Sequence, residues 1–126
     1  MAYRLERKKT DLTPYVLIDE ERGYMSLEGE SYHENIYEFF NEIKEWLDEY
    51  LDTDFESFTF DFELKYFNSS TVRILLGMFR DMDSSKSVDN ISVNWITTKD
   101  NEIIIECGEK FQEGLKNLKL NFVIND

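Results

Sequence analysis

The chain has little of the chemistry from which most small active sites are built. Cys107 is its single cysteine and His33 its single histidine, so an internal disulfide is impossible and neither a cysteine pair nor a Cys/His cluster is available for zinc. Proton-transfer catalysis needs acid and base groups tuned in a shared pocket, and His33 is the only imidazole to serve. Basic residues are also scarce. Against 27 Asp and Glu there are 14 Lys and Arg, a net charge of −13, which repels a phosphate backbone and argues against nucleic acid as a partner. No apolar run reaches the roughly 18 residues of a membrane span. The opening Met-Ala-Tyr-Arg-Leu-Glu-Arg-Lys-Lys lacks the apolar stretch of a secretory signal, so the expectation is a cytoplasmic protein. Patterns for dinucleotides, nucleoside triphosphates, zincins and serine hydrolases are absent.

What is present is a core. Hydrophobic residues make up 41% of the 126 positions and aromatics 15%, too apolar for a disordered tail and about the right size for one domain. The expected organisation is a polar N-terminal arm over residues 1–12, with Arg7, Lys8 and Lys9 clustered, followed by one domain over residues 13–126. Pro14 can open a strand. Tyr15 to Ile18 and Tyr24 to Leu27, separated by Glu21-Arg22-Gly23, read as a β-hairpin.

Ser31 with Glu34 three residues on matches a capping box, and Ile36, Phe39, Phe40, Ile43, Leu47, Tyr50 and Leu51 keep helical spacing, so a first helix is predicted from about Tyr32 to Leu51. Its opposite face carries Glu38, Glu42, Glu45 and Glu49, read as a solvated stripe. Phe58, Phe60, Phe62, Leu64 and Tyr66 alternate with polar residues, the period of a strand covered on one side. A second helix from Ser69 to about Met82 places Val72, Leu75, Leu76, Phe79 and Met82 on one face. Ile91, Val93 and Trp95 then form a strand, Ile103, Ile104, Cys107, Phe111 and Leu115 a third helical stripe, and a last strand takes Leu118, Leu120, Phe122 and Ile124 inward. The order is ββαβαβαβ, a mixed α/β sheet with helices on one face.

Few residues invite a chemical reading. Asp61 and Glu63 share a face because strands alternate, His33 falls in the expected first turn of the first helix, and Cys107 reads as an inert thiol on an apolar face. One cluster stands out: Asn68-Ser69-Ser70-Thr71, three consecutive hydroxyls at a strand-to-helix junction. Unpaired backbone N–H groups and the positive end of the helix dipole lie there, so the junction suits an N-cap from Asn68 or Ser69, a bound anion or a covalent phosphate.

Three segments carry a resemblance: Gly29-Glu30-Ser31-Tyr32-His33-Glu34-Asn35 leading into Tyr37-Glu38-Phe39-Phe40, then Tyr66-Phe67-Asn68-Ser69-Ser70-Thr71-Val72-Arg73, and Glu106-Cys107-Gly108-Glu109-Lys110-Phe111. With these the chain resembles, over nearly its whole length, the SiaC family of bacterial regulatory phosphoproteins, STAS-like in fold and related to the anti-sigma-factor antagonists. The resemblance implies that Ser69, the hydroxyl residue directly after the asparagine, is the phosphoacceptor, with Asn68, Ser70, Thr71 and Arg73 as switch or partner-binding residues. It implies a serine/threonine protein kinase, a PP2C-type phosphatase and an output partner, a diguanylate cyclase of c-di-GMP signalling that the unphosphorylated form binds and activates. No cofactor, no metal and no enzymatic activity are expected. Ser69 stands where the best-known members carry Thr, which keeps the hydroxyl, and His33 where Pro is common. Two other readings stay open: an antagonist acting on an anti-sigma kinase, and a small-ligand-binding domain without a phosphoswitch.

Overall fold

A computed structural model describes residues 2–126. Among these the chain forms six strands and three α-helices. β1 (Arg4–Arg7), β2 (Tyr15–Asp19) and β3 (Tyr24–Ser31) pair antiparallel. β4 (Phe58–Phe67), β5 (Ile91–Thr98) and β6 (Leu120–Asn125) continue parallel to β3. The spatial order of the strands is their order along the chain. The crossovers are α1 (Ile36–Leu51), α2 (Ser69–Asp83) and α3 (Glu102–Glu113). With sequential strands, right-handed crossovers set every helix on the same face of the sheet.

The register shows which face that is. Val16, Leu27, Phe62, Trp95 and Phe122 are successive cross-strand neighbours. All but Phe122, on the edge strand, are fully buried, and they share one core with Phe40, Ile43 and Leu47 of α1, Leu75 and Phe79 of α2 and Phe111 of α3. Trp95 is the centre of the aromatic packing: its ring stacks on Phe62 at 4.5 Å and meets Phe111 edge-on at 5.5 Å. Its indole N–H donates to the Ile104 carbonyl at 3.0 Å, so the one polar atom of the ring is satisfied. Gly108 lets α3 lie against it, because a Cβ there would come within 2.7 Å of the indole. At the β2–β3 turn Gly23 has φ +60, and a Cβ would meet the Ser57 carbonyl oxygen at 2.2 Å, so both conformation and space demand glycine.

Several expectations from the sequence change. Residues 4 to 7 of the supposed arm are strand β1, making the order βββαβαβαβ. β1 is held from outside its own sequence: the Arg7 guanidinium donates to the Phe39 carbonyl at 3.0 Å and to Glu42 at 2.6 Å, and lies over the Phe39 ring. Tyr3 adds a hydroxyl bond to Glu42, and burial with that carboxylate pushes its phenol up to about 12. The first helix begins at Ile36 with Asn35 as N-cap, so Ser31 and Glu34 form no capping box. Instead, Ser31 ends β3 and is buried. Tyr66, Ile103 and Ile124, assigned inward, are 56%, 79% and 42% exposed. A register shift between Gly29 and Glu30 coincides with the loss of alternation at the end of β4.

Phe62→Ala empties the site beneath Trp95 and should cost about 3–5 kcal/mol in a urea denaturation. A midpoint unchanged from the parent would contradict this packing.

Candidate functional site

β4 ends at Phe67 and α2 starts at Ser69, leaving Asn68 as the single residue of the turn. Asn68 adopts an extended backbone, φ −87 and ψ 174, and its side-chain oxygen accepts from the Thr71 N–H at 2.9 Å. This is a side-chain N-cap, which satisfies one of the orphan donors of the first turn. The Asn68 N–H donates to the Ser31 carbonyl at 3.0 Å, tying the turn to the end of β3.

Burial separates the three hydroxyls that the sequence presents as a run. Thr71 is 0% exposed, and its Oγ1 lies 2.8 Å from Asn68 Oδ1, 3.0 Å from the Ser31 carbonyl and 2.8 Å from the Ser31 hydroxyl, itself 0% exposed. Thr71 therefore braces the junction from inside. In this fold its hydroxyl has no surface to offer a kinase or a docked protein, unlike the two serines before it. Ser70 is half-buried and Ser69 is exposed. Arg73, one helical turn beyond Ser69, is exposed, and its Nη1 points to the Tyr37 hydroxyl at 3.4 Å. Sequence reasoning missed Ser31 as part of this site, because a Ser-x-x-Glu spacing looks the same whether or not a helix follows it.

The electrostatics of the junction differ from those of its neighbours. α1 and α3 carry an acidic residue in the first turn, Glu38 and Glu102, whereas the first turn of α2 has none. The positive end of its dipole is thus uncompensated by a local carboxylate. The surroundings are apolar as well. β3 to β6 run parallel, so their C-terminal ends and the starts of α1, α2 and α3 share one rim of the sheet. The exposed large hydrophobic residues among the described positions all lie along it: Tyr37 on α1, Tyr66 at the end of β4, Ile103 on α3, Ile124 at the end of β6, and Leu12, whose carbonyl accepts from the Tyr32 and His33 N–H groups. Tyr66 and Tyr32 meet edge-on at 5.3 Å.

The remaining candidates have structural surroundings. His33 sits in the β3–α1 connection rather than in a helical turn, and its Nδ1 accepts from the Asn35 N–H at 3.0 Å. Cys107 is half-buried, and burial pushes its thiol up, away from thiolate reactivity. Asp61 lies on the uncovered sheet face, accepting from Tyr24 Oη and Asn94 Nδ2 at 2.7 Å each. Glu63 stands on the same face directly across from Glu28. Its carboxyl is raised by burial first, then by Glu28 and Asp61, with Lys65 opposing. Among the described residues no group of three or more potential ligands is placed to hold a metal ion, and no helix is long and apolar enough to cross a membrane.

Thr71→Val keeps the shape but leaves the buried Ser31 hydroxyl without its partner, while the Ser31 carbonyl keeps the Asn68 N–H, so it should cost about 1–3 kcal/mol in chemical denaturation while Ser69→Ala costs little. Glu63 has a distinct pH signature. A carboxyl raised in the folded chain favours folding only while protonated, so that contribution is complete below its ordinary value and is lost as pH rises through the folded one. Glu63→Gln should therefore raise the melting temperature at pH 7, with the difference vanishing as pH falls to about 4.

Comparison with known proteins agrees with this geometry. A family model described as SiaC family regulatory phosphoprotein matches residues 7–125. An uncharacterised protein of Pseudomonas aeruginosa strain UCBPP-PA14 is 28% identical over 105 residues, spanning 82% of this chain and 83% of that one. Apo-SiaC from Pseudomonas aeruginosa superposes with a TM-score of 0.82 at 25% identity, covering 98% of this chain and 99% of the other. A chain in the structure of the diguanylate cyclase SiaD in complex with its activator SiaC, also from Pseudomonas aeruginosa, matches with a TM-score of 0.82 at 26% identity, over 96% and 98%. With its fold, its strand-to-helix junction and nearly its full length accounted for, the chain belongs to the SiaC family of regulatory phosphoproteins.

Proposed function

We propose that this protein is a phosphorylation-controlled adaptor that binds and activates a diguanylate cyclase while Ser69 carries a free hydroxyl, and releases it when Ser69 is phosphorylated. A serine/threonine kinase writes the mark and a PP2C-type phosphatase removes it. The observation that carries this reading is the position of Ser69: exposed, first in α2, and set on the rim where the exposed apolar residues gather. The relative whose solved complex is described as a cyclase with its activator supports the choice of partner.

The physical logic is a conflict between two environments. A phosphoryl group adds about −1.5 to −2 charge and three acceptor oxygens. At the start of α2 that charge faces free N–H groups and a first turn without carboxylates, which the helix end stabilises by about 0.3–1 kcal/mol. Against an apolar docking surface the same charge must be desolvated, which is costly. Phosphorylation therefore leaves the domain folded and weakens the complex. A small-ligand role finds less support: the strands follow one another in order, without the reversal at which open α/β sheets form a binding crevice.

Ser69→Ala should stay folded, resist the kinase and keep binding the cyclase. Protein phosphorylated by its own kinase should bind roughly tenfold or more weakly, about 1.4 kcal/mol or more. Isothermal titration with sites mapped by fragmentation mass spectrometry checks both. Phosphate confined to other residues, or equal binding by the two forms, would sink the proposal.

A further inference from the structure

Arg73 is placed to do more than flank the modified residue. Among the described residues no carboxylate lies within ion-pair distance of it, although the chain carries 27 acidic side chains; Arg4, Arg7 and Arg22 are each paired, and Arg80, at the far end of the same helix, shares the lack of a partner. Its contact instead is the Tyr37 hydroxyl at 3.4 Å, a long bond that links α2 to the first turns of α1. Tyr37 is 51% exposed and lies on the apolar rim. Residues four apart on a helix are neighbours, and an anion N-terminal to its cation is the better orientation, which is the order of Ser69 and Arg73.

We propose that Arg73 reads the phosphate: on modification of Ser69 its guanidinium leaves the Tyr37 hydroxyl for the phosphoryl oxygens, so the docking rim changes at Tyr37 as well as at Ser69. This rests on the reading of Ser69 as the phosphoacceptor. In the modification the Ser69 Oγ–phosphorus bond forms as the bond from the γ-phosphorus of ATP to its bridging oxygen breaks. ADP leaves, and the hydroxyl proton passes to the kinase's base and on to solvent. The exchange of partners follows from bond strength. A neutral phenol at 3.4 Å offers one weak acceptor, whereas a phosphate offers a charge-assisted, bidentate partner of about twice the strength per bond. Tyr37 then loses its tether to α2, and a partner that packs on the tethered ring finds a different surface. A lysine in place of Arg73 would supply charge without the planar fork, so the device is specific to the guanidinium.

The test installs phosphoserine at position 69 during translation, so it does not depend on finding the kinase. The change in melting temperature on modification should be more favourable by about 2–4 °C in the otherwise native chain than in Arg73→Gln, and 1 M salt should narrow that gap. Arg80→Gln, the same charge change in the last turn of α2, should behave as the native chain. In NMR spectra the Tyr37 ring signals should move on modification of the native chain and stay in place on modification of Arg73→Gln. Equal melting shifts in the native and Arg73→Gln chains, or equal movement of the Tyr37 signals in both, overturn the inference and leave the helix N-terminus as the only holder of the phosphate. Phosphate mapped away from Ser69 on protein isolated from its own cells is a separate failure: it overturns the phosphoacceptor reading and, with it, the inference.

Discussion

β3, β4, β5 and β6 run in the same direction, and each crossover between them carries its helix over the same face of the sheet. That constraint organises nearly everything else about the molecule. It sends one face of the sheet to the core and leaves the other to water, so each strand needs only alternate apolar residues. It also gathers the starts of α1, α2 and α3 on a single rim. A helix start is where backbone N–H groups lack internal partners. The rim is thus rich in unpaired donors as well as in exposed aromatic and aliphatic side chains, and Ser69 lies among them.

The junction divides its labour between neighbouring residues. Asn68 and Thr71 face inward and, with Ser31, form a closed set of hydrogen bonds spanning the end of β3 and the first turn of α2. A buried polar set of this kind stabilises only when every member has a partner, and here each does. Ser69, the next residue along, carries none of that duty. Because the brace holds the backbone, a charge can be added to Ser69 without asking the fold to rearrange. On the proposed reading the response is confined to side chains on the surface, where a small change in charge has its largest effect on a docked partner.

Charge elsewhere is arranged in keeping with this. The outer side of α1 bears Glu38, Glu42, Glu45 and Glu49, and one of its carboxylates, Glu42, is used to fasten β1 through Arg7 and Tyr3. At the far end of the molecule Asp83, at the last turn of α2, accepts from the N–H groups of Asn117 and Leu118 at 2.7 Å and of Lys116 at 3.1 Å. Burial there would raise its carboxyl, but the three backbone donors outweigh it and hold it below the ordinary value. The loop leading into β6 is fixed in this way, at the end of the domain opposite the rim.

Local pattern alone determined a good part of this. The alternation through Phe58, Phe60, Phe62 and Leu64, the spacing of Ile36, Phe40, Ile43 and Leu47, and the passage from strand to helix at Asn68 and Ser69 are all properties of short segments, and all appear where the periodicity places them. The family, too, was legible in three short stretches, the middle one spanning this junction. Other features depend on residues far away in the chain, and those the tertiary structure decided. β1 forms because α1 offers Glu42 and the Phe39 carbonyl to Arg7, 32 or more residues distant. Ser31 became a brace instead of a cap because Thr71, 40 residues on, packs against it. Tyr66 and Ile103 faced outward because the sheet ends at the rim and has no core left to cover them. By residue type alone Ser69, Ser70 and Thr71 are three like hydroxyls, which only the family resemblance told apart; packing buried the last and exposed the first, because burial is a property of neighbours that no residue carries in its own identity.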